Sequence, residues 1–130
     1  MSQLVALAAA LGPDATLISD SDITTSYSRD HAPFAVSAPP FAVLLAKNAQ
    51  EISKALIFAN EHKIPVVTRG AGSGLSGGAN SDAQSLVISL EKMNQILSLD
   101  AANQIARVQA GVINIDLDTA AKEHGLAYLP

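Results

Sequence analysis

The sequence predicts an α+β fold in which a β-α-β unit contributes to a small mixed sheet with helices packed on it. Three observations lead to this prediction. The run "FAVLLA", residues 41–46, is apolar throughout and follows two prolines, which is typical of a strand buried on both faces. Residues 49–62 repeat apolar side chains at helical spacing, and "IPVVT" then predicts a second strand at 65–68. A crossover connection of this kind places the two strands parallel to each other.

The start of the central helix has a clear local signal. Asn48 stands three residues before Glu51, which is the spacing of a capping box at a helix N-terminus. The apolar residues that follow at i, i+3, i+4 and i+7 are expected to face the sheet. They are Ile52, Ala55, Leu56 and Ala59.

The remaining elements flank this unit. The opening "MSQLVALAAALGPDA" predicts a short helix that ends at Gly12 and Pro13, and residues 20–40 form the least regular part of the chain. Further strands are predicted at 86–90, 96–99 and 104–110. A helix at 115–124 is expected to begin after Asn114 as N-cap and to end at Gly125. The final "LAYLP" is predicted to start another strand.

Composition narrows the classes of function. A chain of 130 residues that is 48% hydrophobic can bury one modest core, so one domain or part of one is expected. The net charge is −4, and the eight Lys and Arg residues are scattered, which argues against a nucleic-acid partner. No apolar run reaches the length of a membrane span. Cysteine is absent, which is compatible with a reducing, cytoplasmic setting and excludes thiolate chemistry.

A glycine-rich segment, "RGAGSGLSGGAN" at 69–80, is the strongest candidate for a binding site. It holds five glycines and two serines, so the main chain itself is expected to be the binding surface. Gly72, Gly74 and Gly77 match the Rossmann spacing G-x-G-x-x-G, but no helical pattern follows them. The segment also departs from a P-loop, because Gly78 stands where the lysine is required.

A nest between two strands fits both flanks of this segment. In a nest, successive main-chain N–H groups converge on an anion. The alternative is a flexible connection with no ligand, which needs only one or two glycines. A valine at Gly74 is expected to weaken anion binding while destabilising the fold little.

Other polar residues have simpler explanations. His31, His62 and His124 lie far apart in the sequence and are expected at the surface, and no metal site is predicted. Arg69 could reach a phosphate or pair with an acidic neighbour. Arg29 and Asp30 are expected to pack the irregular segment onto the domain.

The stretches "IPVVTRGAGSGLSGGAN", "LVISLEKMNQILSLDAANQIARVQAGV" and "HGLAYLP" together resemble one family. They are similar to the N-terminal part of the PCMH-type FAD-binding domain of the vanillyl-alcohol oxidase superfamily, in particular to FAD-linked oxidases such as the FAD-linked subunit of glycolate oxidase, and D-lactate dehydrogenase. The resemblance runs from Tyr27 to Pro130. It implies that residues 1–38 form a helix and an irregular lead-in, and that residues 39–130 form the FAD pyrophosphate-binding subdomain of a longer domain.

The resemblance also implies which residues contact the cofactor. The main chain of the glycine-rich segment would hold the FAD pyrophosphate, Gly111 would bring main chain close to FAD, and Pro130 would begin a second contacting loop. The full set is Arg69, Gly70, Ala71, Gly72, Ser73, Gly74, Leu75, Ser76, Gly77, Gly78, Gly111 and Pro130. Several relatives attach the flavin through a histidine near the position of Ser73, and this segment has neither His nor Cys, so the FAD is expected to be non-covalent.

By resemblance, the reaction is the transfer of a hydride from the α-carbon of a small D-2-hydroxy acid to FAD. The substrate would bind to a C-terminal region outside these residues, and no residue here is assigned as the catalytic base. An electron-acceptor or iron-sulfur partner subunit is implied, with membrane association through such a partner. A different interpretation is a non-catalytic nucleotide- or anion-binding module that uses the same glycine-rich segment.

Overall fold

The structure, a computed structural model, describes residues 2–129. Four helices and six strands follow one another along this part of the chain, with a 3-10 turn at Thr25–Tyr27. In chain order the elements are α1 (Gln3–Leu11), β1 (Thr16–Ile18), α2 (Ser21–Thr24), β2 (Ala42–Leu45), α3 (Ala49–His62), β3 (Val66–Arg69), β4 (Leu86–Ser89), β5 (Ile96–Asp100), β6 (Ile105–Val108) and α4 (Asn114–Lys122).

The main sheet has four strands in the order β1-β2-β4-β3. β2 and β3 both run parallel to β4, while β1 pairs antiparallel with β2. The predicted parallel direction of β2 and β3 is therefore confirmed, although β4 lies between them. Strand β1 was not predicted, since its three residues are too few to show a period. The mixed α+β class is confirmed.

The two central strands are buried on both faces, as the apolar run 41–46 predicted. On one face, Leu44 and Ile88 pack in a cluster with Leu7 of α1 and with Ala55 and Phe58 of α3. The opposite face forms a smaller cluster of Val43, Leu45 and Val87, against which Tyr27 and Val67 pack. Hydrophobic burial on both sides stabilises the sheet that carries the glycine-rich segment at its edge.

Helix α3 begins and ends where the sequence predicted. The side chain of Asn48 accepts the main-chain N–H of Glu51 at 2.9 Å, and the Glu51 carboxylate accepts the N–H of Lys47 at 2.9 Å. The reciprocal bond thus goes one residue further back than in a standard capping box. The predicted face was wrong at Leu56, which is 46% exposed, because Phe58 occupies the core instead.

The C-terminal part differs from prediction at two points. β5 and β6 form a separate antiparallel hairpin, and α4 follows it. Ile113, not Asn114, is the N-cap of α4, and no side chain caps this end. Residues 126–129 form no strand, so that prediction was wrong for the part of "LAYLP" that the structure describes.

Candidate functional site: a cavity between the glycine-rich loop and helix α4

The glycine-rich loop, residues 70–80, connects β3 to β4 without a helix. A Rossmann fingerprint requires a helix that starts within the motif, so this interpretation is excluded. Gly72 and Gly77 have φ values of +71° and +78°, a region that side chains with a Cβ rarely adopt. These two positions therefore need glycine for the course of the main chain.

The main-chain N–H groups in the first part of the loop are open. From Gly70 to Ser76, none of them donates to an acceptor within the described residues 2–129. Ser73 and Leu75 are exposed, Leu75 by 74% of its surface. A run of unpaired donors with few side chains around it is suited to binding an anion through the main chain.

The first half of the loop lines a cavity of about 350 Å³. Its other wall comes from the segment between β6 and α4 and from the turn after β4. The lining residues are Gly70, Ala71, Ser73, Glu91, Asn94, Ala110, Gly111, Val112, Ile113, Asn114 and Asp116. This volume is at the small end of ligand pockets, so the cavity has room for part of a dinucleotide.

The structure brings together some of the predicted site residues and separates others. Gly70, Ala71, Ser73 and Gly111 meet in the cavity, although Gly111 is far along the chain from the loop. The cavity lining does not include Arg69, Gly72, Gly74, Leu75, Ser76, Gly77 and Gly78. Pro130 lies outside the described residues.

Arg69 makes structural contacts within the chain. Its Nη1 donates to the carbonyl oxygen of Arg29 at 2.7 Å, and its guanidinium lies against Gly72, where a Cβ would overlap it. The guanidinium carbon is 5.9 Å from the centre of the Tyr27 ring. Within residues 2–129 Arg69 forms no ion pair, so the predicted pairing with an acidic neighbour is not found.

Helix α4 presents its N-terminus to the same cavity, which the sequence alone did not reveal. Asn114 and Ile115 donate their N–H groups to no acceptor in the described chain, and Ile113 offers no capping side chain. The positive end of the helix dipole and the open N–H groups of the loop therefore face a shared space. The one sequence feature that pointed to this part of the cavity was Gly111, which lies just before the predicted helix.

Two carboxylates, Glu91 and Asp116, also line the cavity. Glu91 accepts hydrogen bonds from Tyr27 Oη and Ser89 Oγ, each at 3.2 Å, and its other oxygen lies 3.9 Å from Lys92 Nζ. Burial, followed by the charge of Glu91, raises the pKa of Tyr27, so the phenol stays protonated as a donor. The second carboxylate, Asp116, lies in the first turn of α4, and no basic side chain lines the cavity. An anion bound here would therefore depend on hydrogen bonds from the open main-chain N–H groups.

A larger cleft of about 610 Å³ lies between the β5–β6 hairpin and α4. Leu99, Ile105, Val108 and Leu117 are among its lining residues, which include no charged side chain. None of the predicted site residues lies there. Its lining is mostly apolar, with Gln104 and Tyr128 as its polar side chains, and the smaller cavity at the loop is therefore the candidate site.

Comparison with known proteins identifies the family. The sequence profile described as "FAD binding domain" matches residues 40–130. The chain belongs to this FAD-binding family. The resemblance inferred from the sequence is thereby confirmed, and so is FAD as the cofactor.

The relatives of this FAD-binding chain are much longer than it is. It is 42% identical over 104 residues to glycolate oxidase subunit GlcD of Bacillus subtilis (strain 168), and the aligned region covers 80% of this chain and 22% of that protein. It is 44% identical over 108 residues to D-lactate dehydrogenase of Archaeoglobus fulgidus, covering 81% and 24% respectively. The crystal structure of p-cresol methylhydroxylase with substrate bound matches with a TM-score of 0.76 and 26% identity, over 95% of this chain and 24% of that one. The chain thus spans about a quarter of the length of these proteins.

Two features are absent from the described part of this FAD-binding chain. No helix within residues 2–129 combines the length and apolar character needed to cross a lipid bilayer. The same residues contain no cluster of three or more His, Cys, Asp or Glu side chains suited to hold a metal ion.

Proposed function

We propose that the protein is an FAD-dependent oxidoreductase that oxidises a small D-2-hydroxy acid, such as glycolate or D-lactate. Residues 39–130 would form the part of the FAD-binding domain that holds the pyrophosphate, and residues 1–38 the lead-in that packs against it. Family membership and the names of the two curated relatives support the reaction class.

One observation carries the cofactor-binding part of this proposal. Gly70, Ala71 and Ser73, whose N–H groups are open, and the uncapped N-terminus of α4 line one cavity. Each hydrogen bond from such a donor to a charged phosphate oxygen contributes about 1.5–3 kcal/mol, so three of them account for a large share of micromolar affinity. The acidic chain has no basic side chain in the cavity lining, which supports binding by the main chain.

The residues of this chain would bind and orient the cofactor. The loop would hold the pyrophosphate through its main chain, the Ser73 hydroxyl would add a donor, and Gly111 would keep the second wall close to the loop. When bound, FAD supplies the hydride acceptor for oxidation of the α-carbon of the hydroxy acid. The substrate contacts would lie in sequence outside these residues.

A partner that accepts electrons from the flavin is also proposed. The name of the Bacillus relative describes it as a subunit, which supports assembly with a further protein, for example an iron-sulfur subunit. We propose a cytoplasmic location, with membrane contact only through that partner.

Anaerobic reduction of the bound flavin tests the reaction. The intact protein is loaded with FAD and mixed with glycolate or D-lactate without oxygen, with L-lactate as the matched control. We expect the yellow flavin absorbance to bleach with glycolate, with D-lactate or with both, and to persist with L-lactate. Bound FAD that none of these acids reduces would favour the non-catalytic nucleotide-binding module.

A further inference from the structure

A segment N-terminal to the sheet wraps the glycine-rich loop. We call this segment, residues 28–38, the strap. His31 donates its main-chain N–H to the carbonyl of Gly74 at 2.9 Å, and Ser81, which directly follows the loop, donates its N–H to the carbonyl of Ser28 at 2.9 Å. Ala38 in turn donates to the carbonyl of Ser81 at 2.8 Å. Ser81, the residue after the loop, therefore holds both ends of the strap. Gly74, within the loop, holds the strap at His31.

Side chains reinforce this contact. Asn80 accepts the N–H of Asp30 at 2.8 Å through Oδ1 and donates through Nδ2 to the carbonyl of Ala35 at 3.2 Å. Ser81 Oγ donates to the carbonyl of Ala38 at 2.9 Å. These partners of the strap lie at or after Gly74, beyond the half of the loop that lines the cavity. One further contact, from Arg69 Nη1 to the carbonyl of Arg29, comes from the residue before the loop.

Asp30 is the buried polar centre of the strap. Only 6% of its surface is exposed, and its carboxylate accepts the N–H of Ala32 at 2.9 Å and that of Ala79 at 3.5 Å. A Cβ at Gly74 would lie 3.2 Å from Asp30 Oδ2, so the carboxylate is in close contact with the loop main chain. The Ala32 N–H, followed by other main-chain donors, lowers the pKa of Asp30 against the opposing effect of burial.

We propose that Asp30 is a positioning residue for cofactor binding, which fixes the second half of the loop so that the N–H groups of the first half stay open toward the cavity. This inference rests on the proposed binding of the FAD pyrophosphate by the loop. Because the residues from Gly70 to Ser76 donate no main-chain hydrogen bonds within the described chain, their geometry depends on what holds the residues next to them. A loop held in its binding geometry before the ligand arrives has a higher apparent affinity.

The sign of the effect separates this proposal from simple electrostatics. A carboxylate near a pyrophosphate repels it, so charge alone predicts tighter binding when Asp30 is replaced by Asn. Positioning predicts weaker binding. If the released loop holds its binding geometry about 1–10% of the time, the apparent Kd rises about 10- to 100-fold.

The test measures FAD binding by stopped-flow flavin fluorescence with the intact parent protein, Asp30→Asn and the control Asp82→Asn. Asp82 also accepts hydrogen bonds in a turn, from Gln84 N–H and Ser85 Oγ, but within the described residues it accepts none from the glycine-rich loop. We expect Asp30→Asn to lower the association rate constant about 10- to 100-fold and to change the dissociation rate constant by less than about 2-fold. Asp82→Asn should bind FAD like the parent.

Urea unfolding is measured beside binding, because a purely structural role would shift the unfolding midpoint and leave both rate constants of the folded protein unchanged. A shifted midpoint with unchanged rate constants would overturn the inference while leaving the proposed function intact. Tighter binding by folded Asp30→Asn would do the same. A parent that binds no FAD would refute the proposed function instead, and the inference with it. If Asp30→Asn does not fold, Asn80→Ser replaces it, and parental affinity in that variant would overturn the inference.

Discussion

Gly111 lies directly against the carbonyl oxygen of Leu90, so closely that a Cβ at this position would overlap it. The N–H of Gly111 also donates to the carbonyl of Met93 at 2.8 Å. The segment before α4 is therefore packed main chain to main chain against the turn that follows β4. This contact forms one wall of the cavity, and it gives Gly111 a role in the fold that does not require a ligand.

Gly111→Ala is expected to destabilise the protein by about 1–3 kcal/mol, because the main chain must shift to make room for the new methyl group. Urea unfolding measures the change. Gly78→Ala is the matched control, since a Cβ there meets nothing within 4 Å and should change the unfolding free energy by less than about 0.5 kcal/mol. Equal stabilities of the two variants would contradict the packing described here.

Asn48→Ala should remove the cap of α3 and cost about 0.5–2 kcal/mol of unfolding free energy. The physical reason is the lost acceptor for the Glu51 N–H, which is bonded at 2.9 Å. Asn60→Ala, near the other end of the same helix, serves as the control for the change of composition. If the cap contributed nothing to stability, Asn48→Ala and Asn60→Ala would have the same unfolding midpoint.

Much of the central fold could be predicted because its signals are local. The Asn48 cap and the apolar runs around α3 lie within a few residues of the elements they define. The candidate site could not be predicted from such local signals. Gly70 and Gly111 meet only after β4 and the hairpin have folded between them, and no pattern in the sequence encodes that distance.

Gly74 is a single residue whose role could not be predicted from the sequence. From the sequence it was the natural position to test binding, since it lies in the middle of the glycine-rich segment. The structure places it against Asp30 and outside the cavity. A substitution there would disturb the strap as well as any ligand, so Gly70 is the better position for the test.

Acid should destabilise the protein as four aspartates become protonated. Hydrogen bonds lower their pKa values: the Ala32 N–H on Asp30, the Gln84 N–H on Asp82, the Asn103 side chain on Asp100 and the Lys122 side chain on Asp118 are the largest causes. A lowered pKa in the folded state adds stability above the ordinary value of about 3.9, and this stability is lost as the pH falls through the folded-state pKa.

The urea midpoint should therefore stay level down to about pH 5 and decline below about pH 4. Asp82→Asn should show a shallower decline than the parent, because one of the four groups no longer titrates. A midpoint that rises between about pH 5 and about pH 3 would be inconsistent with these hydrogen bonds.

Any FAD bound at the loop should be non-covalent, since Gly70 to Gly78 contain no His or Cys to attach it. Acid precipitation of the FAD-loaded intact protein checks this. We expect a colourless pellet and flavin in the supernatant. A yellow pellet that survives washing would mean attachment through another residue.

The most direct test of main-chain pyrophosphate binding compares Gly70→Val with Gly78→Val in the intact protein. At both positions a Cβ meets nothing within 4 Å and φ is not positive, but only Gly70 lines the cavity. Blocking two charge-assisted hydrogen bonds, each worth about 1.5–3 kcal/mol, should weaken FAD binding by roughly two to four orders of magnitude. Flavin fluorescence titration should show this loss for Gly70→Val and near-parental affinity for Gly78→Val, with both variants folded by circular dichroism. Parental affinity in folded Gly70→Val would contradict binding at this cavity.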